Sequence, residues 1–230
     1  MIRHGWLLAV AMAGAAMVSP AQAQTAPNAE QVARYTDLHA AAQRGDLAQL
    51  DRLLAAKADV NARDPHGRTA LHVATFAKQR EVIRRLAKAG ADLGTLEDDR
   101  YDAVTIAAVA DDEQTLATLL ALGASAKLTT SRYDGTALIA AAHHGHDGVV
   151  RQLIAAGAPL DHVNNLHWTA LIEAIVLGDG GPRHVATLKA LLGAGASTTL
   201  ADREGRTPLA LARARGFAEM VRLLEAAGAR

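Results

Sequence analysis

The sequence predicts an all-α protein in which pairs of short helices repeat along the chain and stack into a solenoid. Three observations support this fold class. An apolar marker residue recurs at steps of 33, 33, 34, 33 and 38 residues. A helix-capping residue precedes every marker, and a glycine–alanine pair follows most of them in the same register. Because one pair of short helices cannot bury its own apolar face, the copies must pack against each other.

The marker starts the apolar face of the first helix in each copy, and the residue two positions earlier is the predicted N-cap. Threonine and aspartate are suited to that position because their side-chain oxygens accept orphan backbone N–H groups of the first turn. The markers are Leu38, Leu71, Val104, Leu138, Leu171 and Leu209. The predicted N-caps are Thr36, Thr69, Asp102, Thr136, Thr169 and Thr207.

The second helix of each copy is predicted to end at a residue with left-handed backbone geometry, which glycine adopts without strain. The glycines at this position are Gly90, Gly123, Gly157, Gly195 and Gly228, each followed by alanine. The first copy carries Lys57 instead. A side chain in that conformation costs on the order of 1 kcal/mol, so Lys57→Gly is expected to be neutral or stabilising.

The segments GRTALHVA (67–74) and LHAAAQRGD (38–46), together with the period near 33, resemble ankyrin repeats from about Tyr35 to the end of the chain. The resemblance implies short hairpin-like turns between repeats, structural roles for His39 and His72, and protein binding on a concave face. Six repeats are predicted near 35–63, 64–96, 97–130, 131–163, 164–201 and 202–230.

The step of 38 residues places an insertion in repeat 5 around Gly178–Pro182. Its glycines permit turns, and Pro182 is suited to the first turn of a helix. The insertion is therefore predicted to lengthen the loop between the two helices of this repeat. Insertions in repeat arrays often lie on the binding face, while a simply tolerated loop is the alternative.

The first 34 residues differ from the repeats. Residues 1–23 combine a short basic start, an apolar run and the small residues Ala21 and Ala23, a pattern typical of a secretory signal peptide. Residues 24–34 form a polar leader. We therefore expect a periplasmic or secreted protein that has no stable membrane insertion once the signal is cleaved.

Composition and motifs argue against several function classes. The chain has 24 basic and 24 acidic residues and no cysteine, which gives no support for nucleic-acid binding or a thiolate metal site. No catalytic motif is found, so we expect neither an enzyme nor a cofactor. His143, His144 and His146 offer imidazoles for zinc or nickel, and a metal- or small-ligand-binding protein remains an alternative.

The resemblance places partner-binding positions in the turn before each first helix and at the end of that helix. Tyrosine and tryptophan dominate protein interfaces, and five aromatic residues, including Tyr35, fall in these positions. Packing of the rings against the next turn is the alternative. The predicted partner-binding residues are Phe76, Tyr101, Tyr133, Trp168, Val176, Leu177, His143 and His144. We expect a monomer that binds another protein, with an exported effector or inhibitor as a further alternative.

Overall fold

The computed structural model describes residues 24–230, so the predicted signal peptide lies outside the described residues. The described part folds into thirteen helices, and the predicted all-α repeat solenoid is confirmed. The first helices of the six repeats are α2 (Asp37–Arg44), α4 (Ala70–Phe76), α6 (Ala103–Val109), α8 (Ala137–His143), α10 (Ala170–Val176) and α12 (Pro208–Ala214). The second helices are α3 (Leu47–Ala55), α5 (Arg80–Lys88), α7 (Glu113–Ala121), α9 (Asp147–Ala155), α11 (Pro182–Gly193) and α13 (Ala218–Ala226). The leader forms α1 (Ala29–Arg34).

The helices form two layers, because each first helix packs on the first helices of the adjoining repeats and each second helix does the same. A continuous core lies between these layers. It consists largely of leucine, isoleucine, valine and alanine. Small alanine side chains let the short helices approach closely, and burial of the apolar surface drives the stacking.

The predicted caps occupy the N-cap position of all six first helices. The Asp102 carboxylate accepts the Thr105 N–H at 2.9 Å, and the hydroxyls of Thr136, Thr169 and Thr207 accept equivalent bonds at 3.3 Å. Thr36 makes no side-chain cap bond, and Asp37 after it has a φ of +47°. The first repeat therefore begins less regularly than the others.

The second helices end as the sequence predicts. The φ values at Gly90, Gly123, Gly157, Gly195 and Gly228 lie between +78° and +93°. Lys57 adopts the same left-handed geometry with a φ of +60°. Because an L-side chain is strained there, the prediction for Lys57→Gly now has a specific physical basis.

The insertion in repeat 5 is only partly a loop, which corrects the prediction. Three residues join the two helices in repeats 2, 3, 4 and 6, whereas residues 177–181 join α10 to α11. The other three inserted residues extend α11 to twelve residues, against nine in α5, α7, α9 and α13. Pro182 at the first helical position starts α11 about one turn earlier.

Several contacts hold the loop of repeat 5 to the array. The Arg215 guanidinium donates to the carbonyl oxygens of Val176 at 2.7 Å and Gly178 at 2.8 Å. A Cβ on Gly178 would lie 2.1 Å from the Ala174 carbonyl oxygen, so glycine is required at this close approach. Within residues 24–230, no helix is both long and apolar enough to cross a membrane.

Candidate functional site

The turns between repeats are rigid platforms beside the first helices. In repeat 5, the Asn164 side-chain oxygen accepts the backbone N–H groups of Leu166 and Trp168, both at 3.0 Å. Backbone bonds also join successive turns, including the Asn165 N–H to the Tyr133 carbonyl oxygen at 2.9 Å. These bonds fix the spacing of the turn side chains from one repeat to the next.

The turns and first helices of repeats 3 to 5 enclose a cavity of about 360 Å³, which we call the groove cavity. Tyr101 and Tyr133 contribute from the turns, and Ile139 from the face of α8. Asn164 and Glu173 line it from repeat 5. The cavity thus combines aromatic and apolar walls with a few polar groups, as ligand sites usually do.

The structure brings together only half of the predicted partner-binding residues. Tyr101, Tyr133, His143 and His144 line the groove cavity. The other predicted residues, Phe76, Trp168, Val176 and Leu177, are not among the lining residues. The predicted face therefore contains a cavity at its centre and separate apolar positions on either side of it.

Local packing, the alternative interpretation of the aromatic residues, describes part of this face. Trp168 and Val176 are half-buried against the core, as is Tyr35. The Tyr35 hydroxyl also donates to the Asp64 carboxylate at 3.0 Å. Leu177, in contrast, remains 38% exposed. The residues of this face thus differ in how much surface they can offer to a partner.

The histidines of repeat 4 stack rather than converge on a common point. The ring centroids of His143 and His144 are 4.5 Å apart, and those of His144 and His146 are 5.2 Å apart. His146 Nδ1 is already hydrogen-bonded to the Ala108 carbonyl oxygen at 2.9 Å. Throughout residues 24–230, no three side chains of metal-ligand type form a group that could hold an ion. The structure thus gives the metal-binding alternative no support.

The two histidines of the leucine–histidine motif make the inter-turn hydrogen bonds that the resemblance implies. His39 Nε2 lies 2.9 Å from the Arg68 carbonyl oxygen. His72 Nε2 lies 3.0 Å from the Thr95 carbonyl oxygen, and its Nδ1 accepts the Thr69 N–H at 3.0 Å. Burial lowers the pKa of His72 to about 4, so this imidazole is neutral at physiological pH.

Glu173, a buried ionisable group that lines the groove cavity, was not predicted from the sequence. Glu173 is 4% exposed, and its Oε1 accepts a bond from Asn164 Nδ2 at 3.0 Å. Its Oε2 is buried and has no hydrogen-bond partner in the part of the chain that the structure describes. His143 Nδ1 lies 3.5 Å from that oxygen, beyond ordinary hydrogen-bond distance.

The register of the repeats contains the signal that would have identified Glu173. It stands two residues after the marker Leu171, inside the first helix. The equivalent residues in the other repeats are Ala40, Val73, Ile106, Ala140 and Leu211. A carboxylate in an otherwise apolar position is expensive to bury, which makes it a functional candidate.

Burial determines the protonation of this part of the groove. It raises the pKa of Glu173 from its ordinary 4.5 to about 7, and the bond from Asn164 offsets only part of that effect. Burial, followed by the nearby imidazoles of His184 and His146, lowers the pKa of His143. Near neutral pH, the carboxyl therefore exchanges its proton with solvent beside an uncharged imidazole.

The leader runs along the same face toward the groove cavity. The Arg68 guanidinium donates to the Thr25 carbonyl oxygen at 3.3 Å and to the Gln31 side chain at 3.2 Å. Gln24 reaches the cavity and contributes to its lining. The face thus already accommodates an extended chain segment at its N-terminal end.

Comparisons with known proteins agree with the architecture. A family model described as ankyrin repeats (3 copies) matches residues 9–97 and 104–202. The putative ankyrin repeat protein YahD of Escherichia coli K12 is 38% identical over 190 residues, which span 82% of this chain and 94% of YahD. Human ankyrin repeat and SOCS box protein 16 is 32% identical over 219 residues, or 93% of this chain but 46% of that protein.

Among solved structures, an ankyrin repeat domain from Acinetobacter baumannii AYE has 44% sequence identity and a TM-score of 0.80. The match covers 84% of this chain and 98% of that chain. The sequence period, the helix pairs and these likenesses all agree. The chain belongs to the ankyrin-repeat family.

Proposed function

We propose that this protein is a non-enzymatic binding module that recognises a partner protein on the concave face formed by the turns and first helices. Ankyrin repeats are in general protein–protein interaction modules. The observation that carries the proposal is the groove cavity of repeats 3 to 5, whose walls include Tyr101 and Tyr133. Aromatic side chains in a desolvated pocket are typical anchor points of protein interfaces.

Apolar surface beside the groove cavity extends the proposed interface. Val163, Leu166 and Leu177 are the exposed large hydrophobic residues among those described, with exposures of 42%, 37% and 38%. Val163 and Leu166 lie in the segment before α10, at the junction of repeats 4 and 5, and Leu177 directly follows that helix. Exposed large apolar side chains in the same part of the array favour binding of a partner.

Rigidity supports the same proposal. The turns are joined by backbone hydrogen bonds such as the one from the Ser131 N–H to the Arg100 carbonyl oxygen at 2.8 Å. A preformed surface loses little conformational entropy on binding, so more of the contact energy becomes affinity. The partner is thus recognised by a fixed arrangement of side chains.

We propose that binding takes place in the bacterial periplasm. This location rests on the signal-peptide pattern of residues 1–23. Cell fractionation with a C-terminal tag tests it, and mass spectrometry is expected to find a mature chain that begins at Gln24. A tagged protein that stays in the cytoplasm with residues 1–23 attached would overturn this location.

Affinity capture from periplasmic extract tests the binding face. The bait is the mature chain, compared with a variant that combines Tyr101→Ala and Tyr133→Ala. The matched control combines Leu54→Ala and Leu120→Ala, which remove partly buried apolar side chains from the second-helix layer. We expect the groove variant to lose a partner that the control retains. Equal retention by the groove variant, with helical content intact, would refute the proposed face.

A further inference from the structure

The groove cavity contains a hydrogen-bond acceptor that has no partner among residues 24–230. No described residue bonds to the buried Oε2 of Glu173, while its Oε1 accepts a bond from Asn164 Nδ2 at 3.0 Å. Buried polar atoms in folded proteins are almost always hydrogen-bonded, so an exception indicates a missing component. A donor brought by a bound molecule would supply the bond that Oε2 lacks.

The chemistry of the walls indicates what kind of donor fits. Of the described side chains that line the groove cavity, none is lysine or arginine. The phenol rings of Tyr101 and Tyr133 present π systems, and Val109 and Ile139 add apolar surface. Aromatic rings attract cations electrostatically, and an aliphatic stem packs well on apolar walls.

We propose that the groove cavity receives a single lysine or arginine side chain of the partner, with the Glu173 carboxylate as its counter-ion and Tyr101 and Tyr133 beside it. This inference deepens the proposed function and rests on it. Asn164 positions the carboxylate through its hydrogen bond to Oε1. The cavity volume of about 360 Å³ is at the low end for ligand pockets, which suits one side chain rather than a folded segment.

The titratable and charged groups around Glu173 are its neighbours from α8, α11 and the segment after α12. His143, the last residue of α8, and His144 directly after it line the cavity, with His143 Nδ1 3.5 Å from Glu173 Oε2. Tyr133 lies in the turn before that helix. His184 of α11 is bonded to the His143 carbonyl oxygen at 3.0 Å. Arg215, after α12, is engaged with the carbonyl oxygens of repeat 5. No described cationic side chain pairs with Glu173 Oε2 within hydrogen-bond distance.

Proton linkage gives the proposal a signature. A cation binds the ionised carboxyl, and burial keeps much of the Glu173 population protonated near neutral pH, because its pKa is about 7. Binding must therefore release a proton, and the affinity must rise between about pH 6 and about pH 8 before it levels off. Pairing with a fixed neutral group would give no such dependence.

The test is an NMR titration of the mature chain with N-acetyl-arginine amide and N-acetyl-lysine amide as probes. N-acetyl-citrulline amide, similar in shape but uncharged, is the control probe. We expect saturable shifts at groove residues with both basic probes, stronger at about pH 8 than at about pH 6. Affinity for the citrulline probe should be about tenfold lower, since a charge-assisted bond is lost.

Two variants separate the carboxylate from general effects on the fold. Glu173→Gln keeps the acceptor for Asn164 but removes the charge. It should lower the affinity for the basic probes about tenfold and abolish the pH dependence of that affinity. Glu113→Gln, on an exposed residue of α7, should leave both unchanged. Any one of four results would overturn the inference. The first two are equal affinity for the citrulline and basic probes, and undiminished affinity of Glu173→Gln for the basic probes. The other two are an affinity of the wild-type protein that does not change with pH, and the absence of chemical-shift changes at groove residues.

These outcomes are independent of the capture experiment. If the probes fail to bind but the groove variant loses its captured partner, the basic side-chain site is wrong and the binding face stands. If the probes bind and no partner depends on the groove face, the cavity is a cation site and the proposed protein-binding function fails.

Discussion

Replacing Glu173 by glutamine should stabilise the protein, by an amount that grows with pH. Glutamine retains an oxygen that can accept the bond from Asn164 Nδ2, which is 3.0 Å long in the wild-type protein. It removes the buried negative charge, which has that amide as its one hydrogen-bond partner among the described residues. The substitution therefore isolates the free-energy cost of ionising a carboxyl inside the first-helix layer.

The structure sets both the sign and the size of the effect. The folded-state pKa of Glu173 is about 7, above its ordinary value of 4.5. Between these values the folded protein binds more protons than the unfolded chain, so the free energy of unfolding falls as pH rises. At 1.36 kcal/mol per pKa unit, the loss approaches about 3 kcal/mol above pH 7, and most of it develops between about pH 5 and about pH 8.

Urea unfolding of the wild-type protein and Glu173→Gln at about pH 5 and about pH 8 measures this effect. The difference between the two proteins cancels the pH dependence of other groups, such as His72. Glu113→Gln is the control and should show no pH-dependent difference. If Glu173→Gln is no more stable than the wild-type protein at about pH 8, the carboxyl is not a buried, uncompensated charge and the cation-site inference loses its basis.

Four further substitutions test the backbone geometry and the hydrogen-bond networks. Lys57→Gly should raise the free energy of unfolding by up to about 1 kcal/mol, because Lys57 has a φ of +60°. Gly90→Ala should lower the free energy of unfolding by a similar amount. A clear drop in melting temperature for Lys57→Gly would contradict the strain argument. Gly178→Ala should lower the free energy of unfolding by about 2 kcal/mol, because the added Cβ would collide with the Ala174 carbonyl oxygen. An unchanged midpoint of urea unfolding would show that the loop backbone moves without strain to accommodate the Cβ. His72→Ala should lower the free energy of unfolding by about 3 kcal/mol, since it creates a cavity and leaves backbone groups without hydrogen bonds. Thermal unfolding at neutral pH measures this loss of stability.

The repeat architecture could be predicted from sequence because its signals are local and recur. A threonine or aspartate before a first helix, and a glycine after a second helix, report the backbone geometry of their own position. Lys57 could be assigned a left-handed conformation from its register alone, and its φ of +60° agrees. The structure of the insertion was harder to predict, because glycine and proline indicate a turn but do not determine the residue at which the following helix begins.

The interior of the groove could be predicted only in part. The turn residues Tyr101 and Tyr133 were identified by their position in the repeat. For Glu173, the register shows a carboxyl at an otherwise apolar position, but the pKa of that carboxyl depends on burial in the folded array, which the sequence does not show. For Trp168, the repeat register predicts a position on the partner-binding face. The register does not predict how much of the indole ring packs against the core.

The stacking of neighbouring repeats also determines which part of the array opens last. Among the described helices, α6, α8 and α10 each pack against a first helix on both sides. Hydrogen exchange should therefore be slow in these three helices. Side chains of the same helices line the groove cavity. The groove cavity should thus keep its shape while less supported parts of the array open and close.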